Sequence, residues 1–294
     1  MDISIVGLRL LRAVAERGTL TAAATELGYT QSGASRQLAA LERAAGARLV
    51  ERGDSRAPLT RAGLALLRHA RVILDEVDDA ARELTAGRPE PRRVRLGVYV
   101  SAGASLLPRL LTAARRRADV VVTTREGTTP ALVRAVRSGS LDLALISARP
   151  PYDPPDDELP RLVTTTLRES TLLVAAPAAG RFAGRDQVSL AELADAEWIA
   201  SPSPAHEPLL GVWPALPGRA RVVHSTRDWL AKLSLVAAGC GLTTVPANLA
   251  PLIPDGVRLL SVTDGPEQRR RLLAVRPPGT PSPAVAAILP LLRE

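Results

Sequence analysis

Apolar residues in the first 60 positions recur at spacings of three and four, and glycines break the pattern. Leu8, Leu11 and Val14 form a helical stripe flanked by Leu10, and Gly18 ends that helix. Thr21 is the expected cap of a second, Ala-rich helix running to Leu27, with Gly28 closing it. Thr30 caps a third helix from Gln31, with Ala34, Leu38 and Leu41 on its buried side and Gly46 at its end. From Arg48 to Thr60 the chain holds Gly53, Asp54 and Pro58, a turn-rich stretch suited to a β-wing. Thr60 caps a long helix on which Leu67, Ala70, Leu74, Val77, Ala81 and Leu84 alternate by three and four. That spacing is a heptad seam expecting a partner helix; the other reading is an amphipathic helix packed on its own domain.

Gly87, Pro89 and Pro91 mark a linker, after which the rhythm changes to strands alternating with helices. Strands are expected at Val94–Val100, Val120–Thr124 and Leu141–Ile146, with helices at Ser105–Arg117 and Pro130–Ser138 between them. Such alternation implies a parallel sheet covered by helices. A Pro- and Asp-rich break at Pro150–Pro160 leads to a second unit. Strands there are expected at Leu172–Ala176, Trp198–Ala200, Val222–His224, Leu242–Val245 and Arg271–Val275. The helices fall at Leu190–Ala194, Asp228–Ala238 and Ala284–Leu292.

The 294 residues suffice for two or three compact units, and the 2% aromatic content leaves the cores to Ala, Leu and Val. The formal charge of +8 suits a polyanionic partner, although composition bias toward arginine would give the same sum. Positive charge is spread over both the start and the C-terminal two thirds, so pattern must carry the argument rather than net charge. Lys232 is the only lysine. No secretion signal opens the chain, no membrane-length apolar run occurs, and Cys240 stands alone, which together point to a cytoplasmic location.

The stretch Thr19–Glu42 holds most of the chemistry. Two short helices joined at Gly28 and Tyr29 have the geometry that lays the second in a major groove. The face opposite Ala34, Leu38 and Leu41 shows Thr30, Gln31, Ser32, Ser35, Arg36 and Arg43: small hydrogen-bonding groups first, then arginines for guanine or phosphate. Arg52 and Arg56 on the wing are placed to clamp phosphates. A helical hairpin with a solvated polar face would show the same pattern.

The run Leu8–Gly63 closely resembles the N-terminal domain of LysR-type transcriptional regulators, through AVAERGTLTAAATELGYTQSGASRQLAALE, RLVER at Arg48–Arg52 and LTRAG at Leu59–Gly63. The resemblance implies a winged helix-turn-helix over residues 1–60, a linker and dimerisation helix over 61–88, and an α/β effector-binding domain over 89–294. That last domain would resemble periplasmic solute-binding proteins, with one lobe at about 92–162 plus 270–294 and the other at about 163–269. It also implies double-stranded promoter DNA as partner, a homodimer through the linker helix assembling into a tetramer, and no membrane association. Carried over by position, the effector contacts are Ser101, Ala102, Thr128 and Ser147 from the first part of the domain, and Ser201 and Thr226 from the second. Hydroxyls beyond strand ends, beside helix N-termini, suit an anionic metabolite, although Ser and Thr there also serve simply as helix caps. Gly33 departs from the family pattern and loosens the third helix.

Two rival classes remain at this level. An enzyme would need a catalytic constellation. Yet His69, His206 and His224 are scattered, no glycine-rich phosphate loop occurs, and Cys240 reads as a small core residue rather than a nucleophile. No metal or cofactor is expected. A purely architectural DNA binder would leave the α/β region without a use.

Overall fold

The computed structural model describes residues 2–51, 57–86, 91–117, 119–202 and 209–293, without the side chains of 79 and 82–86. The chain divides into two compact units. Unit 1 takes in residues 1–146, 154–165 and 273–294; unit 2 takes in 147–153 and 166–272.

Unit 1 opens with three helices, α1 (Ile5–Arg17), α2 (Leu20–Glu26) and α3 (Gln31–Ala45). Ser4 and Thr30 cap the first and third through Gly7 and Gly33 N–H groups, each at 3.1 Å. The cap of α2 is Thr19, not Thr21: its Oγ1 accepts the Ala22 N–H at 3.1 Å, starting the helix two residues early. Gly18 and Gly46 end α1 and α3 in the left-handed region, where glycine carries no Cβ penalty. Leu8, Leu10, Leu11, Val14, Ala23, Ala34 and Leu41 share one core. Glu42 then sets the wing, its Oε1 accepting the Leu49 and Val50 N–H groups at 2.8 and 3.3 Å.

Helix α4 (Arg61–Ala86) begins under the Thr60 cap, whose Oγ1 accepts the Gly63 N–H at 3.0 Å. A Cβ on Gly63 would strike the Leu49 carbonyl oxygen, so only glycine lets the helix start this close to the wing backbone. The first half of the predicted seam packs on the chain itself, whereas Val77 is half-buried and Ala81 exposed. Leu67, Ala70 and Leu74 are fully buried in the same core as α1, and Arg9 and Arg12 reach Asp78 at 2.9 and 3.8 Å. The exposed apolar pair on α4 is Val72 and Ile73. Arg71 is buried without a hydrogen bond, 3.5 Å from Glu16; burial, then the nearby Arg95, lowers its pKa to about 10.

The rest of unit 1 is an α/β layer. β1 (Arg92–Val98) runs into α5 (Val100–Ser105) and α6 (Leu107–Arg115); then follow β2 (Val120–Glu126), α7 (Thr129–Arg137) and β3 (Leu143–Ala148). Strand β1 pairs in parallel with both β2 and β3, as the alternation predicted. Arg95 fastens β1 to the β3 approach through paired contacts to Asp142 at 2.6 and 3.1 Å.

Unit 2 is built differently. β4 (Val163–Pro177) is far longer than expected, because its polar opening TTTLREST hid it from a hydrophobicity reading. After it come β5 (Gln187–Val188), α8 (Leu190–Ala194), β6 (Glu197–Ala200), β7 (Arg221–Ser225), α9 (Trp229–Ala237), β8 (Thr243–Pro246) and β9 (Val257–Val262). β4 pairs antiparallel with β8 and β9, so the sheet is mixed rather than parallel; β6 and β7 form a parallel pair. β10 (Arg269–Arg276) leads back to unit 1, where α10 (Pro283–Ile288) and a short 3-10 turn, Pro290–Leu292, close the described chain. Strands β5 and β9 were not predicted: one is two residues long, and the other carries no clean alternation. Cys240 is half-buried rather than a core residue.

Candidate nucleic-acid interface and effector site

The DNA-facing candidates lie on one surface. Thr30, Gln31, Ser32, Ser35 and Arg36 are all exposed at the N-terminal end of α3, opposite buried Ala34 and Leu41. The hairpin that presents them is fixed by the Tyr29 N–H donating to the Ala24 carbonyl at 2.8 Å. Thr30 and Ser32 hydroxyls stand 3.2 Å apart and share one hydrogen bond, which leaves the other hydroxyl's hydrogen to donate. The positive end of the helix macrodipole points the same way, favouring a phosphate. Arg52 and Arg56 lie outside the described residues. Val50 and Leu59, on either side of those residues, form an isolated antiparallel bridge.

The effector candidates separate by unit. In unit 1 the parallel strands β1 and β2 end together at the pair Val98 and Glu126. Ser101 follows the first, in the opening turn of α5, a helix that begins at Val100 rather than at the expected Ser105. Thr128 follows the second; exposed, it caps α7 by accepting the Ala131 N–H at 3.4 Å. Ala102 offers less: its side chain is buried and its N–H already donates to Tyr99 at 2.9 Å. Ser147, half-buried in β3, falls in unit 2 although that strand begins in unit 1, while Ser201 and Thr226 follow the paired ends of β6 and β7, Ala200 and Ser225. The Thr226 N–H donates to the Ala200 carbonyl at 3.0 Å, and its Oγ1 accepts the Asp228 N–H at 3.2 Å. Each capping hydroxyl keeps a hydrogen for a ligand, so capping and binding are compatible roles.

Sequence reasoning missed one group at this end of unit 2. Lys232, on the first turn of α9, is buried and donates to Ser201 Oγ at 2.8 Å. The available signal was a lone charge inside the apolar run WLAKLSLV. Among the described residues no cluster of His, Cys, Asp and Glu is placed to hold a metal, and no helix is long and apolar enough to cross a membrane.

A helix-turn-helix with an exposed polar recognition face, followed by a linker helix and α/β units, defines a DNA-binding regulator with a ligand-sensing domain. Comparison with known proteins makes this specific. The bacterial regulatory helix-turn-helix of the lysR family matches residues 5–64, and the LysR substrate binding domain matches residues 87–294. The chain belongs to the LysR family of transcriptional regulators. It is 32% identical over 276 residues to a protein of Mycobacterium avium named a probable hydrogen peroxide-inducible genes activator, covering 92% of this chain and 86% of the relative. The small neutral protease regulatory protein of Streptomyces coelicolor is 34% identical over 277 residues, covering 87% and 85%. ArgP from Mycobacterium tuberculosis shares the fold at TM-score 0.72 and 22% identity, covering 100% and 97% of the two chains. CbnR in complex with its target DNA shares it at 0.55 and 22%, covering 99% of each. The relatives are transcription regulators, and this chain is a regulator rather than an enzyme.

Proposed function

We propose that this regulator binds double-stranded promoter DNA sequence-specifically through α3 and the wing, and that an anionic small molecule controls it. The observation that carries the DNA reading is the contiguous exposed face Thr30, Gln31, Ser32, Ser35 and Arg36 against a buried opposite stripe. The effector reading rests on two matching pairs of hydroxyls, Ser101 with Thr128 and Ser201 with Thr226, each just past the carboxyl ends of neighbouring parallel strands. The working form in this reading is a homodimer through the linker helix, assembling further into a tetramer. Exposed Val72 and Ile73 supply an apolar face on α4 that suits such a contact.

The mycobacterial relative's name raises peroxide as an alternative signal. This chain holds one cysteine, Cys240, so peroxide cannot act here by closing a disulfide within the chain, and a bound anion is the favoured trigger. Thermal-shift screening of a metabolite set, followed by footprinting with each stabilising compound, tests the reading. A carboxylate or phosphate ester that both raises the melting temperature and changes the footprint with dose is the expected result. Stabilisation only by neutral compounds, or by peroxide treatment, would overturn the anionic assignment.

A further inference from the structure

Among the described residues, the end of unit 2 that carries Ser201 and Thr226 contains a charge with no counter-charge. Strands β6 and β7 stop side by side, and α9 begins beneath them, capped by Asp228, whose Oδ1 accepts the Ala231 N–H at 3.0 Å. One turn further, Lys232 is only 3% exposed. Its Nζ donates to Ser201 Oγ at 2.8 Å and lies 5.6 Å from the centre of the Trp229 ring. An ammonium has three N–H donors, and Ser201 is its one hydrogen-bond partner among the described residues. Asp228, four residues before it, is committed to the helix cap, and among the described residues no carboxylate pairs with Lys232.

Burying an ammonium without a partner costs several kcal/mol, and proteins normally avoid it by pairing or exclusion. Among the described residues Lys232 is neither paired with a carboxylate nor kept at the surface. The sequence threads the chain's single lysine into an otherwise uncharged helix, and its ammonium meets the serine that follows β6. We propose that Lys232 and Ser201 form the anion-binding point of this lobe, taking an oxygen of a carboxylate or phosphate group on the effector. The assignment rests on the anionic-effector reading above and names the group that meets the charge. An arriving oxygen accepts from Nζ and from the Ser201 hydroxyl, which turns from acceptor to donor. The compact ammonium suits this exchange better than a guanidinium, whose five donors sit in a fixed fork. The apolar surroundings that penalise the free cation strengthen its attraction to the anion.

Because the chain has one lysine, full-length protein grown on 13Cε-lysine gives a single assigned side-chain signal. Its pH titration is followed with acetate and with inorganic phosphate as probes, at constant ionic strength, with a thermal shift recorded on the same samples. Without probe the signal titrates near pH 8, since burial lowers this amine. With acetate or phosphate it shifts saturably and its midpoint moves upward. In Ser201→Ala the half-saturating concentration rises about tenfold or more, the loss of one hydrogen bond to a charged group. A signal that no probe moves, while a probe stabilises the protein, would overturn the Lys232 assignment and leave the anionic reading standing. If no probe stabilises the protein or moves the signal, both fall.

Discussion

Gly63 and Lys232 show how single residues commit this chain. Gly63 sits in the LTRAG segment, where any Cβ would meet the Leu49 carbonyl oxygen. Gly63→Ala should therefore destabilise the N-terminal domain by roughly 1–3 kcal/mol through overpacking, seen as an earlier first transition in calorimetry. An unaltered melting profile would show that the wing backbone moves freely away from α4. Lys232 makes a prediction of opposite sign. Its amine is lowered to about 8 by burial, below the usual lysine value. The unfolded chain thus binds more protons between pH 8 and its own higher midpoint, and stability rises with pH across that window. Below pH 8 the full penalty applies. Lys232→Met should be more stable than wild type at pH 7, by on the order of 1–3 kcal/mol, and the advantage should shrink as pH passes 8. Denaturant melts of both proteins from pH 6.5 to 10 check this, and a pH-independent difference would contradict it. Neither residue announced these roles locally. The partners of Gly63 and Lys232 lie 14 and 31 positions away, beyond the reach of any periodicity.

The elements themselves were mostly legible, since caps, glycine stops and apolar spacing are short-range signals. Thr30, Gly46 and Thr60 bound their helices as the sequence suggested. Thr19 displaced Thr21 because two threonines two residues apart offer equivalent cap chemistry, and only the entry path of the chain chooses between them. The α4 seam illustrates a deeper ambiguity: a heptad stripe fits a partner helix or the chain's own core equally well. Leu74 lies in the core of its own domain, whereas Val72 and Ile73 are exposed. Leu74→Asp should therefore unfold the N-terminal domain outright, since it buries an unpaired charge. Val72→Asp should keep that domain folded and convert dimers to monomers, measured by analytical ultracentrifugation. A folded Leu74→Asp protein, or a dimeric Val72→Asp protein, would contradict this division of faces. For α3, Gln31→Ala, Ser32→Ala and Arg36→Ala should narrow the affinity gap between specific and random DNA, by about 1–3 kcal/mol for each lost base contact. Competition binding at fixed salt reads that gap, and three unchanged gaps would remove α3 from the groove.

At the scale of the whole molecule, the alternation of strands and helices foretold the parallel layer of unit 1. It could not foretell the antiparallel pairing of β4 with β8 and β9, because strand direction is set by connections between distant segments. The candidate sites divide in the same way. The candidate DNA face was readable because its residues lie within one helix and its cap. The candidate effector face draws on strand ends far apart in sequence, and the buried charge beside it came to light only through packing. The central claim is sequence-specific DNA recognition by α3, and selection from a random double-stranded DNA pool tests it most directly. Wild-type protein should enrich one interrupted dyad motif, and Arg36→Ala should enrich it weakly or not at all. A wild-type pool that stays random after repeated rounds, with binding that depends on salt alone, would contradict the account.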